Sequence, residues 1–247
     1  MLFLLPPSEC KVEGGQGLSL EQVALTFGGM EPAREVVYEQ LIRFSSGGAK
    51  TGMREEHLRQ NLEFRTSPLM PALDRYSGTL YDALHGRGLK GTPTEHNSLG
   101  ALERKRAAES VFIQSALFGL IPATNLIPNY RFSAGSKLPG FDLKKHWASA
   151  HEVIWKRLEG NLIIDLRSKA YAELAPIPPQ IEHYWVEVLD SKNGKALNHF
   201  NKKGKGQFVR AALQAKQESK SLSDLIAVAK STGQRLELNG DVLNLFV

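Results

Sequence analysis

Apolar positions along this chain recur sometimes at the period of a strand and sometimes at that of a helix, and the changes between the two divide it into elements. The apolar run Met1 to Leu5 stops at Pro6-Pro7-Ser8-Glu9 and is followed by Gly14, Gly15 and Gly17, which predicts a buried strand running into a loop. From Glu31 to Phe44 the residues Val36, Val37, Leu41 and Phe44 recur at helical spacing, and a second helical stretch covers Glu55 to Phe64. Between them lies Ser45-Ser46-Gly47-Gly48-Ala49-Lys50-Thr51-Gly52, so this part reads as helix, glycine hairpin, helix. A third helix is expected from Leu99 to Glu109, after which Val111-Phe112-Ile113 and Ala116-Leu117-Phe118 read as one buried strand ending at Gly119.

A long loop runs from Pro122 to Pro139, and Asp142 then stands ready to cap a helix. Its Leu143, Trp147, Ala150, Ile154 and Leu158 share one face until Gly160 ends it. Leu162-Ile163-Ile164 follows at once, the pattern of a parallel strand buried on both faces. Two Asn-Gly dipeptides mark hairpins: Asn193-Gly194 joins His183–Leu189 to Ala196–Phe200, and Asn239-Gly240 joins Leu236–Leu238 to Val242–Phe246. Helices are expected from Gln207 to Lys216 and from Ser221, whose spacing to Asp224 suits a capping box. With no internal repeat and no linker, residues 1–247 read as a single α/β domain, a central mixed sheet flanked by helices.

Composition narrows the function classes. The 247 residues are 42% hydrophobic and 23% charged, enough apolar side chain for a large core. Cys10 is the single cysteine, so an internal disulfide framework and a cysteine-rich zinc site are both ruled out, and a reducing, cytoplasmic setting is expected. Every hydrophobic stretch is interrupted before the length of a membrane span, and the apolar start is too short for a signal peptide. A net charge of +5 favours acidic partners without establishing one.

Familiar catalytic patterns are missing. Gly48-Ala49-Lys50-Thr51 has alanine where a phosphate-binding loop needs glycine, and no predicted strand precedes it. His146 and His151 are five apart, too far round a helix to share one ion, so no metal and no cofactor is expected. Asp165 ends an apolar strand, where open α/β sheets present ligand-contacting groups, yet pairing with Arg167 or a backbone amide is the plainer reading. Arg104-Lys105-Arg106 reads as the exposed face of a helix, with a second basic patch as the alternative.

Two segments are suited to phosphate. The first is the hairpin Ser46 to Gly52 with its Lys50 and the nearby Arg54, between two predicted helices; in the second, Lys202, Lys203, Lys205, Gly206 and Arg210 follow a predicted strand and precede a helix. Glycines let backbone amides approach a phosphate, and a helix N-terminus adds dipole and free N–H donors.

Taken in order, these segments resemble the YaaA family of peroxide stress proteins over essentially the whole chain. The resemblance is carried by Pro7, Ser8 and Lys11, by Tyr76-x-Gly78-x-x-Tyr81, and by Ser115-Ala116-Leu117-Phe118-Gly119. It continues through Asn125, Tyr130-Arg131, Gly135, Trp147, Asp165-Leu166-x-Ser168-x-x-Tyr171 and the lysine run up to Arg210. Against the family pattern, Phe118 replaces tyrosine, Asn125 aspartate and Ser133 glutamate, while Lys11 lies two positions late. The resemblance implies a cytoplasmic protein that limits peroxide damage by restraining free iron, and a fold with a DNA-binding helix-hairpin-helix element. On that reading DNA is the partner, its phosphates on one of the two basic segments and exposed bases stacked on Tyr76, Tyr81, Tyr130 and Phe118. The alternative is an enzyme acting on a nucleotide or nucleobase in a pocket at the strand ends, built from Ser8, Lys11, Tyr76, Gly78, Tyr81, Ser115, Tyr130, Arg131, Asp165, Ser168 and Tyr171.

Overall fold

The computed structural model describes residues 1–87, 98–197 and 201–247. Strand β1 (Leu2–Leu5) is buried along its whole length, and the chain reaches helices α1 (Glu31–Ser45) and α2 (Glu55–Glu63) through a long loop. A 3-10 turn, Gly48–Thr51, lies between these two helices where a glycine hairpin was expected, with Gly48 and Gly52 at positive φ. Short elements follow: β2 (Met70–Pro71), α3 (Ala72–Arg75) and α4 (Thr79–His85). Then come α5 (Ala101–Ser110), β3 (Val111–Ser115), β4 (Gly119–Pro122) and β5 (Leu126–Ile127). The run Ala116-Leu117-Phe118 is therefore a buried turn and does not extend the strand. Gly119, at φ +70°, opens β4, and β4 pairs antiparallel with β3 from Ser115↔Gly119 to Phe112↔Pro122.

Helices α6 (Leu143–Ala150) and α7 (Glu152–Leu158) occupy the single helix expected before Gly160. Asp142 caps it as its position predicts, accepting from the Lys145 amide at 3.0 Å. The break falls at His151, whose Nδ1 bonds the Trp147 carbonyl at 2.7 Å and so competes with the helical ladder. The remaining elements are β6 (Ile163–Asp165), α8 (Lys169–Ala172), β7 (His183–Leu189), α9 (Asn201–Gln214), α10 (Leu222–Ser231), β8 (Arg235–Asn239) and β9 (Val242–Phe246). The Ser221–Asp224 capping box and the Asn239-Gly240 hairpin are both present. Of the strand expected over Ala196–Phe200, Ala196 forms an antiparallel bridge to Leu189, and residues 198–200 lie outside the described part.

Among the described residues the main sheet has seven strands in the order β4-β3-β1-β6-β7-β9-β8, parallel except for the antiparallel edges β3/β4 and β8/β9. The registers Phe3↔Ile164 and Leu4↔Asp165 place β6 beside β1. From β1 the chain leaves toward β3, and from β6 it leaves toward β7, on the opposite side. The carboxyl ends of β1 and β6 thus open a crevice, the position where open α/β sheets receive ligands.

Helix α9 overturns one expectation. The segment Lys202–Arg210 is no loop ahead of a helix; it is inside one, and Gly204, Lys205 and Gly206 are buried. Tertiary packing overrides the low helix propensity of glycine here. A Cβ on Gly206 would stand 2.1 Å from the Leu80 carbonyl oxygen, and one on Gly204 within 3.1 Å of both Val247 and Val188. The glycines therefore let α9 lie against α4 and the sheet, and Phe208 meets Phe3 of β1 edge to face. The triplet Arg104-Lys105-Arg106 does not form a basic patch: Arg104 pairs with Asp74 at 2.9 Å, and Arg106 is buried against the carbonyls of Leu213 and Ala215.

Candidate functional site

The crevice at the β1 and β6 ends is a cleft of about 850 Å³. Its walls are the β1 exit (Pro6 to Cys10), the start of α4 (Ser77 to Tyr81), the β6 exit (Leu166 to Tyr171), the Ser133–Gly135 loop, β7 (Trp185 to Glu187) and the first turn of α9. Seven sequence-predicted residues meet there: Ser8, Gly78, Tyr81, Ser168, Tyr171, Lys202 and Lys205. A larger groove of about 1080 Å³ beside α10 gathers none of them.

Under the cleft, Asp165 and Arg167 form a buried bidentate pair, Nε to Oδ1 and Nη2 to Oδ2, both at 2.8 Å. The plainer reading of Asp165 therefore holds. Arg167 also reaches the Ala175 carbonyl at 2.9 Å. Gln114 links this pair, at 3.4 Å from Arg167, to His151, whose Nε2 lies 3.2 Å from the Gln114 amide nitrogen. The Leu120 amide also donates to that Nε2, at 3.0 Å, so Nδ1 carries the proton given to Trp147. Burial holds this neutral imidazole down at a pKa of about 3.

A second buried chain consists of hydroxyls. Tyr76 and Tyr130 meet at 2.7 Å, and Tyr130 meets Ser115 at 2.9 Å. Both lone pairs of Ser115 Oγ are taken by the amides of Leu117 and Phe118, so Ser115 donates to Tyr130 and Tyr130 donates to Tyr76. Burial pushes the Tyr76 and Tyr130 hydroxyls well above the ordinary tyrosine range. Tyr76, Tyr81, Tyr130 and Phe118 are at most 1% exposed, which corrects the expectation that they stack on bases: they are core, and Tyr81 spends its hydroxyl on the Pro6 carbonyl.

Lys11 lies half-buried across this chain, its Nζ 4.0 Å from the Tyr130 ring centroid and 3.1 Å from the Ser8 carbonyl oxygen. Desolvation, helped by the nearby Arg131 charge, lowers it to about 7. Arg131 is engaged at the rim with Glu9, at 2.5 Å. Lys205 enters the cleft floor from α9, 5% exposed, donating to the Leu166 carbonyl at 3.0 Å. Burial lowers it to about 8 against the opposing pull of Asp165 and Glu187.

The two basic segments do not converge on this cleft as whole units. Lys202 lines it and is exposed; Lys203 is exposed on α9 outside the lining; Arg210 bonds the Leu84 carbonyl at 3.1 Å. Lys50, within the Gly48–Thr51 turn, and Arg54, three residues after it, are both exposed. Trp185 and Glu187 were not among the predicted site residues, although their spacing puts them on one face of β7 and both line the cleft. Asn125 and Ser133, two of the departures from the family pattern, hold loops: Asn125 clasps Thr26, and Ser133 meets Ser136.

Residues 1–233 match the family described as peroxide stress protein YaaA. The chain belongs to the YaaA family. Its relatives include a UPF0246 protein of Corynebacterium efficiens, 35% identical with 97% of this chain and 96% of the relative covered. A UPF0246 protein of Streptomyces coelicolor is 36% identical over 96% of this chain and 92% of its own length. An uncharacterized protein of Campylobacter jejuni is 27% identical, with 92% and 89% covered. Among the described residues of this YaaA family member, no helix is long and apolar enough to cross a membrane.

Proposed function

We propose that this YaaA family member acts in the peroxide stress response by binding DNA, with phosphates held by the cations of the cleft and of the α1–α2 turn. The observation that carries the reading is the charge in the cleft. Its Arg167 and Glu9 are already paired, which leaves Lys169, Lys202 and Lys205 against Glu187 at the ligand-receiving end of the sheet. The Gly48–Thr51 turn, with Lys50 in it and Arg54 just beyond, supplies a second phosphate contact of the helix-hairpin-helix kind. Any restraint of iron then follows indirectly from protected DNA. A second reading, chemistry on a nucleotide or base, is favoured by Lys11, whose amine bonds the carbonyl of the cleft residue Ser8 at 3.1 Å and, lowered by burial to about 7, can take a proton.

Fluorescence anisotropy with duplex DNA across a salt series tests the proposal. Binding should weaken steeply with salt, because each neutralised phosphate releases counterions. Lys202→Glu with Lys203→Glu, and separately Lys50→Glu with Arg54→Glu, should each weaken binding about tenfold or more at low salt. Absence of binding at low salt would overturn the DNA reading and turn attention to nucleotide turnover.

A further inference from the structure

Trp185 is the part of the cleft wall that phosphate binding leaves unused. Trp147 and Trp155 are 0% and 3% exposed, whereas Trp185 is only half-buried and lines the cleft. Lys205 Nζ lies 5.3 Å from the Trp185 ring centroid and is fixed there by the carbonyls of Leu166 and Arg167. Glu187, two residues on, shares the Trp185 face of β7, is exposed, and lines the same cleft. An aromatic wall, an exposed carboxylate and two ammonium groups thus meet in about 850 Å³, room enough for a nucleotide.

Each of these groups selects a different part of one ligand. An indole face stacks a nucleobase. A carboxylate accepts hydrogen bonds, so it favours a base edge rich in N–H donors and repels a phosphate, which orients the ligand. The ammonium groups take the phosphate. We propose that Trp185, Glu187, Lys202 and Lys205 form a nucleotide subsite in which an amino-bearing base stacks on the indole, turns its N–H edge to Glu187 and directs its phosphate to the lysines. Such a nucleotide arrives free or as one unstacked residue of a strand, and the recognition chemistry is the same. For the strand-borne source, the inference rests on the DNA-binding reading of this cleft.

The full chain is titrated with GMP, CMP, AMP and UMP, and with oligo-dC and oligo-dT, while intrinsic fluorescence is followed. Trp185 is the tryptophan open to the ligand, so stacking quenches its emission. Amino-bearing bases should bind at least about fivefold more tightly than uracil or thymine, whose carbonyls face a carboxylate unfavourably, and Glu187→Gln should erase that difference. Trp185→Leu should abolish the quench and weaken calorimetric binding by about tenfold or more, while Trp185→Phe keeps binding without the signal. Thermal melting of each variant separates loss of the subsite from loss of the fold. Quenching by mononucleotides assigns a free ligand, and quenching by oligo-dC alone assigns a strand. Salt-sensitive duplex binding without quenching by any of these probes would overturn the subsite and leave the DNA reading standing. Quenching by mononucleotides without DNA binding would do the reverse.

Discussion

Asp165 and Arg167 share a bidentate contact with side chains 5% and 1% exposed, so neither charge can be removed without burying the other alone. Replacing Asp165 with Asn should cost about 3–5 kcal/mol, the usual penalty for stranding one member of a buried pair. Chemical denaturation of the variant checks this. A loss under 1 kcal/mol would mean that Arg167 finds a new partner. The pair was legible in the sequence because its members are two residues apart at a strand end. The burial of Lys205 was not legible, since a lysine in a run of lysines gives no local sign of facing inward. What directs it is the α9 packing, which no neighbour in sequence encodes.

Among the elements, α9 depends most on a single atom's width. Gly206 meets the Leu80 backbone of α4, and that contact sets the approach of the helix that brings Lys202 and Lys205 to the cleft. Gly206→Ala should destabilise by about 1–3 kcal/mol or more, because the obstacle is backbone rather than a flexible side chain. It should also weaken cleft binding in parallel; an unchanged melting temperature would show that α4 yields. Elements with local punctuation were readable in the sequence: the Asp142 cap, the Ser221 box, the Asn239-Gly240 turn. The β3–β4 hairpin was misread because Ala116-Leu117-Phe118 is as apolar as the strand before it, and hydrophobicity cannot distinguish a buried turn from a buried strand. The cleft was legible only in outline. Ser8 and Ser168 stand just past strand ends, a positional signal, whereas Trp185 and Glu187 lie within a strand and needed the sheet order to bring them alongside.

At the scale of the molecule, burial of His151 makes one contribution to stability that depends on pH. Its folded pKa of about 3 lies below the 6.5 of an unperturbed histidine, so below pH 6.5 the unfolded chain binds the proton and the native one does not. This contribution is therefore full above pH 6.5 and falls as pH drops toward 3, by about 2–3 kcal/mol at pH 4.5. Urea titrations at pH 6.5 and 4.5 should show this loss in the native chain and not in His151→Gln; equal pH slopes would remove His151 as the cause. The sheet order also determines how the chain comes together. Strand β1 precedes both β3 and β6 in the chain and lies between them, so Phe3 finds its partners only when Val111 and Ile164 have been synthesised. During translation the apolar Leu2–Leu5 segment must wait without its neighbours, and the cleft, bounded by the exits of β1 and β6, comes into being only after both are joined. A fragment ending before β6 thus lacks half of the cleft, and a nascent chain of that length carries a hydrophobic strand with its β6 edge unpaired as a target for chaperones.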